Sequence, residues 1–240
     1  MDRNYQAEAA ALPHFQFDLL QHRHMMRSFR PYFGETISAL ELGCFEGAFT
    51  SLLQREFEDV CVIEASLPCI LKARVNLPLV EFIHGTFETA KADRRFDAIF
   101  CIHVLEHTDD PVLVLRRFKE WLLPGGRAFI AVPNGMALSR QIAAKIGVLD
   151  SSDPLCVTAA EAAHGHRRTY DRNMLNLHIA EADLRIIADG GITIKPLANF
   201  QSDAALKHGI ISDDYLEACY ALSDEHPEIC ASLYAVVECK

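Results

Sequence analysis

Residues 37–50 read ISALELGCFEGAFT, and this stretch decides the fold. A short apolar run ends in Glu41-Leu42-Gly43, turns through Cys44-Phe45-Glu46-Gly47 and enters a segment of helical character. Strand, glycine-bearing turn and helix start, in that order, are how an α/β sheet holds a nucleotide-like ligand at its carboxyl edge. About twenty residues further on, the apolar run Val60-Cys61-Val62-Ile63 ends in Glu64, where a carboxylate can accept hydrogen bonds from both ribose hydroxyls. A dinucleotide fingerprint would need glycines at 43 and 45 and a small residue at 48, because the backbone must approach a pyrophosphate closely. Position 45 is Phe. The turn therefore suits a ligand that carries adenosine without phosphates.

Working outward, strand-like runs near 37–42, 60–64, 80–84, 96–102 and 127–132 alternate with helix-like runs near 46–57, 67–75, 110–121 and 136–146. Such alternation predicts a parallel sheet with right-handed crossovers. Ahead of it, apolar residues at helical spacing (Phe15, Leu19, Met26, Phe29) predict an N-terminal helix that stops at Arg30-Pro31. Two stretches fall outside the alternation: 148–170, which holds Asp150-Ser151-Ser152-Asp153-Pro154 and His164-Gly165-His166-Arg167-Arg168-Thr169-Tyr170, and a mostly helical 196–230. Insertions after strands five and six lie where a substrate lid would be.

Four segments in register resemble the class I S-adenosylmethionine-dependent methyltransferases, small-molecule branch. Glu41-Leu42-Gly43-Cys44-Phe45-Glu46-Gly47 is similar to the family's first motif, with Phe45 in place of its middle glycine. Glu64 stands at its ribose-binding acid. Residues 96–107, FDAIFCIHVLEH, with Asp110-Pro111 resemble its fourth strand and following turn, and 122–134, LLPGGRAFIAVPN, its fifth strand. The resemblance implies a doubly wound, mostly parallel seven-stranded Rossmann-like α/β sheet ending in an antiparallel pair, for which 184–188 and 233–238 are suited. It implies one domain over 1–240, with a helical cap at 1–34, a cofactor-binding core at 35–135 and substrate-side insertions at 148–170 and 196–230. The implied cofactor is S-adenosylmethionine, with S-adenosylhomocysteine as product.

On that reading Gly43, Cys44 and Gly47 let the backbone approach the methionyl part, and Glu41 receives its ammonium. Glu64 and Ala65 face the ribose, Thr86 and Phe87 the adenine, and Ile102 and His103 the sulfonium. His103 has a second role open to it, general base for an acceptor hydroxyl; His166 is the other candidate. His107 reads as a structural hydrogen-bonder. For the His164/His166 loop, base, substrate contact and plain helix entry all stay open. Tyr170 is expected to close over the substrate, Asp171 to cap the next helix, and Asn199, with Phe200, Gln201 and Asp203, to suit a hydroxylated acceptor. The acceptor is expected to be a small molecule such as a sugar, a glycan precursor or another metabolite, methylated on oxygen or nitrogen. A protein acceptor and a non-catalytic cofactor-binding module are the alternatives, and Phe45 argues against a nicotinamide oxidoreductase.

The bulk properties agree. The 240 residues are 50% hydrophobic and 23% charged, enough for one substantial core. A net charge of −10 without a basic stripe argues against a nucleic-acid partner. There is no apolar run long enough for a membrane span, and the N-terminal stretch lacks signal-peptide character. Eight cysteines, none in a Cys-x-x-Cys pair and several within strand patterns, read as reduced thiols of a cytoplasmic protein. Eleven histidines raise the question of metal, but no clustered ligand pattern supports a site, and none is expected. Oligomeric state is not legible.

Overall fold

All five residues of strand β1 (Ser38–Leu42) are buried, as a central parallel strand covered on both faces requires. The computed structural model describes residues 16–149 and 151–240, so Phe15, the rest of the N-terminal stretch and Asp150 lie outside the described residues. Around β1 are β2 (Asp59–Glu64), β3 (Glu81–His84), β4 (Phe96–Ile102), β5 (Leu122–Pro133), β6 (Leu184–Ile194) and β7 (Cys230–Cys239). They form one seven-stranded sheet of order β3-β2-β1-β4-β5-β7-β6. Strands β1 to β5 pair in parallel, and β7 runs antiparallel between β5 and β6. The expected doubly wound sheet with its antiparallel end is what the chain builds.

Helices α1 (Gln16–Phe29), α2 (Ala48–Leu53), α3 (Leu67–Asn76), α4 (Pro111–Arg116) and α5 (Phe118–Trp121) precede β5. After it come α6 (Leu138–Lys145), α7 (Ala159–Ala163), α8 (Arg172–Glu181), α9 (Asn199–Lys207) and α10 (Asp213–Ala221). Helix α1 gives way at Arg30-Pro31 to a single 3-10 turn, as the proline requires. Asp110 caps α4, and Asp171 caps α8 by accepting from the Met174 amide at 2.7 Å.

Strands β5, β6 and β7 outrun their expected lengths, the first two by the most. Strand β5 starts at Leu122, pairing there with Phe96, and shifts register before Arg127 meets Ala98, so the Pro124-Gly125-Gly126 turn sits inside the strand as an irregularity. Strand β6 continues through Gly190-Gly191 because its ladder with β7 holds as far as Ile194 opposite Cys230. Apolar periodicity could not see either, since both depend on a partner strand.

Core residues fill both faces of the sheet. On the α1 face Phe100 and Phe129 stack at 4.8 Å, and Phe29, Phe33 and Phe57 pack around them. Each fully buried phenylalanine contributes roughly 1.5–3 kcal/mol of transfer free energy, so this cluster fastens α1 to the sheet. All eight cysteines are free. Among the described residues no helix is long and apolar enough to cross a membrane.

Candidate active site

A cavity of about 640 Å³ opens over the carboxyl ends of β1, β2 and β4. It lies where the strand order reverses between β1 and β4, the crevice in which open α/β sheets bind ligands. The turns leaving β1 and β4 form its floor. Both hold a non-glycine residue in the left-handed region, Phe45 at φ 50° and His103 at φ 51°. Such backbone costs about 1 kcal/mol or more and persists where the surroundings over-determine it. Phe45 thus keeps the turn conformation that a glycine would adopt freely.

Glu64 is tied down. Its Oε2 accepts from the amides of Cys44 (3.0 Å) and Phe45 (3.2 Å), and its Oε1 from Ser66 (2.8 Å). Burial raises its pKa, and these backbone donors pull the other way. A carboxylate offers about four lone-pair sites, so Oε1 is the oxygen with capacity left for a ligand hydroxyl. The expected grip on both ribose hydroxyls is narrowed accordingly. Glu41 is the opposite case: 1% exposed, with Oε2 lacking any hydrogen-bond partner. Burial, reinforced by the nearby charge of Glu64, pushes its pKa up to about 8.

Gly43, Cys44, Ala65, Thr86, Phe87 and Ile102 also line the cavity. At Gly43 a Cβ would lie 3.3 Å from the Phe87 ring and 3.2 Å from Val104, so the bare backbone is what leaves the floor open. Gly47 does not line the cavity. Its φ is 88°, and a Cβ there would come within 2.5 Å of Leu77 and 3.2 Å of Ala73. Its glycine is demanded by the start of α2 and the approach of α3, a correction to its expected ligand role.

His103 lines the cavity with its Nε2 hydrogen-bonded to the Ser232 hydroxyl at 2.9 Å. Burial, with other imidazoles nearby, lowers its pKa to about 3, which makes it a weak base. His107 and His166 meet edge to face at 4.6 Å, beside Glu106. Glu106 is 1% exposed, neither carboxylate oxygen has a hydrogen-bond partner, and burial pushes its pKa up to about 8. The Arg168 guanidinium nearby donates instead to the carbonyls of Leu105, Thr108 and Asp109. His164 lines the same wall.

Tyr170 does not. It is wholly buried in the core, its hydroxyl 3.1 Å from His178 Nδ1, so the expected closure over substrate is corrected to a packing role. Asn199 lines the cavity, donating to Asp18 at 2.8 Å and accepting from Lys195. Of its expected companions, Phe200 is exposed, Gln201 accepts from the Ala198 amide, and Asp203 accepts from the first two amides of α1. Sequence reasoning missed Gln21, His22 and Lys195, which complete the roof. Burial lowers Lys195 to about 8 and His22 to about 4. Only a polar residue on the apolar face of α1 hinted at Gln21 and His22, and the sequence holds no such sign for Lys195.

Residues 2–189 match a family described as a methyltransferase domain. The chain belongs to that family. It is an S-adenosylmethionine-dependent methyltransferase. Among its relatives is a ubiquinone biosynthesis O-methyltransferase of Vibrio parahaemolyticus serotype O3:K6 (strain RIMD 2210633), 22% identical over 201 residues, covering 81% of this chain and 83% of the relative. Another protein of that name, from Parvibaculum lavamentivorans, is 26% identical over 178 residues, covering 72% and 68%. Among solved structures, an N-methyltransferase of Bradyrhizobium japonicum WM9 in complex with S-adenosylhomocysteine superposes with a TM-score of 0.60 at 16% identity, covering 98% of each chain. A [4+2]-cyclase shares the fold at a TM-score of 0.59 and 15% identity, covering 91% of this chain and 80% of its own. Fold alone therefore does not select methyl transfer; family membership does.

The cavity of this methyltransferase suits its cofactor by two observations. The orphaned Glu41 Oε2 is a buried acceptor in want of a cation, and the cofactor carries an ammonium. At Gly43 bare backbone borders the Phe87 ring and Val104, an apolar surface that suits an adenine-bearing ligand lacking phosphates.

Proposed function

We propose that this methyltransferase transfers the methyl group of S-adenosylmethionine to a hydroxyl oxygen of a small-molecule acceptor. The observation that carries the reading is the shared cavity: the Glu41 and Glu64 carboxylates line one part of it and the Glu106, His107 and His166 group another. Its volume of about 640 Å³ falls within the range of small-molecule sites, about 300–1,000 Å³. The names of the relatives support an oxygen acceptor. Sugars, glycan precursors and other hydroxylated metabolites are the acceptor class.

Glu41 would hold the cofactor's ammonium, Glu64 Oε1 a ribose hydroxyl with Ala65 beside it, and Thr86 and Phe87 the adenine, with Gly43, Cys44, Ile102 and His103 shaping the methionyl side. When bound, the cofactor supplies an electrophilic methyl on a sulfonium that is already a good leaving group. What the chain adds is alignment of the acceptor, exclusion of water by the roof of α1 and α9, and removal of the hydroxyl proton. His166 is better suited to that last task than His103, whose Nε2 is engaged by Ser232. His164 and Asn199 would contact the acceptor.

Calorimetric titration with S-adenosylhomocysteine, followed by an assay of its release across panels of hydroxylated and amine acceptors, tests the reading. Binding and turnover on hydroxyl compounds are expected. His166→Ala should cut turnover at least ~100-fold and leave S-adenosylhomocysteine affinity nearly unchanged, about 100-fold being the low end for losing a general base. A folded chain that turns over amines alone overturns the oxygen acceptor.

A further inference from the structure

Three side chains from two distant parts of the sequence converge at one corner of the cavity. Glu106 and His107 follow β4, and His166 arrives from the loop after α7. One ligand atom from each lies within 4.8 Å of the other two. Within the group His107 Nε2 lies 3.9 Å from Glu106 Oε1. The buried Glu106 carboxylate has no hydrogen-bond donor on either oxygen. Leaving a buried carboxylate unsatisfied costs more than leaving a neutral group so, and such groups are found paired, hydrogen-bonded or coordinating metal.

We propose that Glu106, His107 and His166 form a site for one divalent transition-metal cation, zinc being the best fit, which binds the acceptor's hydroxyl oxygen. Two imidazoles with one carboxylate are a ligand set that zinc uses where it keeps a position open for water or substrate. Ligand atoms around a tetrahedral zinc ion stand about 3.4 Å apart, so the three side chains need draw in by only about an ångström. The two segments are already joined beside the site: the Arg167 amide, next to His166, donates to the Glu106 carbonyl at 2.8 Å. Glu106 and His166 line both the main cavity and a smaller adjoining one, leaving the ion's remaining positions open to a ligand. A hydroxyl bound there would lose its proton to water more readily, because the cation stabilises the oxyanion. His166 would then act as a ligand rather than as a base. The ion's role, though not its binding, rests on the methyl-transfer reading above.

The test uses the full chain, stripped with a chelator and dialysed. Zinc is titrated by calorimetry, and cobalt replaces it for visible absorption. One equivalent per chain is expected, with cobalt bands typical of four- or five-coordination. Glu106→Gln and His166→Gln should each weaken binding at least ~100-fold, more than the 10- to 100-fold seen for second-sphere partners. His84→Ala, at an exposed histidine distant in the fold, should leave it unchanged. Circular dichroism checks each variant, and if Glu106→Gln fails to fold, His166→Gln decides. Absence of a stoichiometric site in the folded wild type, or wild-type binding by His166→Gln, overturns the proposal. Titration with S-adenosylhomocysteine runs in parallel: if it binds and zinc does not, the ion site alone falls, whereas loss of both overturns the methyl-transfer reading as well.

Discussion

Glu41 and Glu64 are neighbouring buried carboxylates that meet the cost of burial in different ways. Three backbone amides satisfy Glu64, whereas Glu41 keeps an unpartnered oxygen and a pKa raised to about 8. The sign follows from linkage. The folded chain holds the Glu41 proton more tightly than the unfolded chain does, so its contribution favours folding at acid pH. That contribution is lost as pH rises from about 4.5 to about 8. Glu41→Gln keeps the shape without the charge. In the ligand-free protein it should match the wild type in thermal melting at pH 5 and exceed it by up to a few kcal/mol near pH 8. The same variant should bind S-adenosylhomocysteine at least ~10-fold more weakly at neutral pH, the low end for a charge-assisted hydrogen bond. Equal affinity by calorimetry would remove Glu41 from the ammonium contact.

At the scale of elements, two junctions shape the site without touching a ligand. Gly47 lets α2 start close against α3. Gly47→Ala must adopt a left-handed backbone and displace Leu77, so a loss of roughly 1–3 kcal/mol is expected in denaturant unfolding, with cofactor affinity following only through the turn. Helix α1 is held over the cavity by Asp203, by the 2.5 Å ion pair of Arg27 with Glu217, and by Phe29 in the core. Asp203→Ala removes an acceptor at the start of α1, worth about 0.5–2 kcal/mol for a helix cap. Amide hydrogen exchange should quicken in α1 and stay slow in β1, β4 and β5. Uniform protection would mean that α1 is held by its apolar face alone.

Across the whole molecule, the phenylalanine layer joins the sheet to its roof. Phe100 is fully buried and contacts Phe29, Phe33, Phe49, Phe57 and Phe129. Phe100→Ala should cost about 3–5 kcal/mol in chemical unfolding and loosen the roof along with the sheet. A loss under about 1 kcal/mol would show that the layer repacks around the gap. The cavity itself is a product of this scale. Its walls come from α1, from the ends of five strands, from the loop at 164–166 and from the segment leading into α9.

The strand-turn-helix at 37–50, the acid at 64 and the β-α alternation were legible in the chain because they are local: periodicity, turn chemistry and strand-end position act over a few residues. They were enough for the sheet, its crevice and the kind of cofactor. Whatever depended on a distant partner was decided by the tertiary structure. Tyr170 reads as a lid residue in its loop yet packs in the core. Gly47 reads as a ligand turn yet serves a helix contact. Lys195 carries no motif, and His166 stands far along the chain from the Glu106-His107 pair it joins. Side-chain chemistry at a site is a matter of proximity in space, and only the folded sheet with its two insertions creates that proximity.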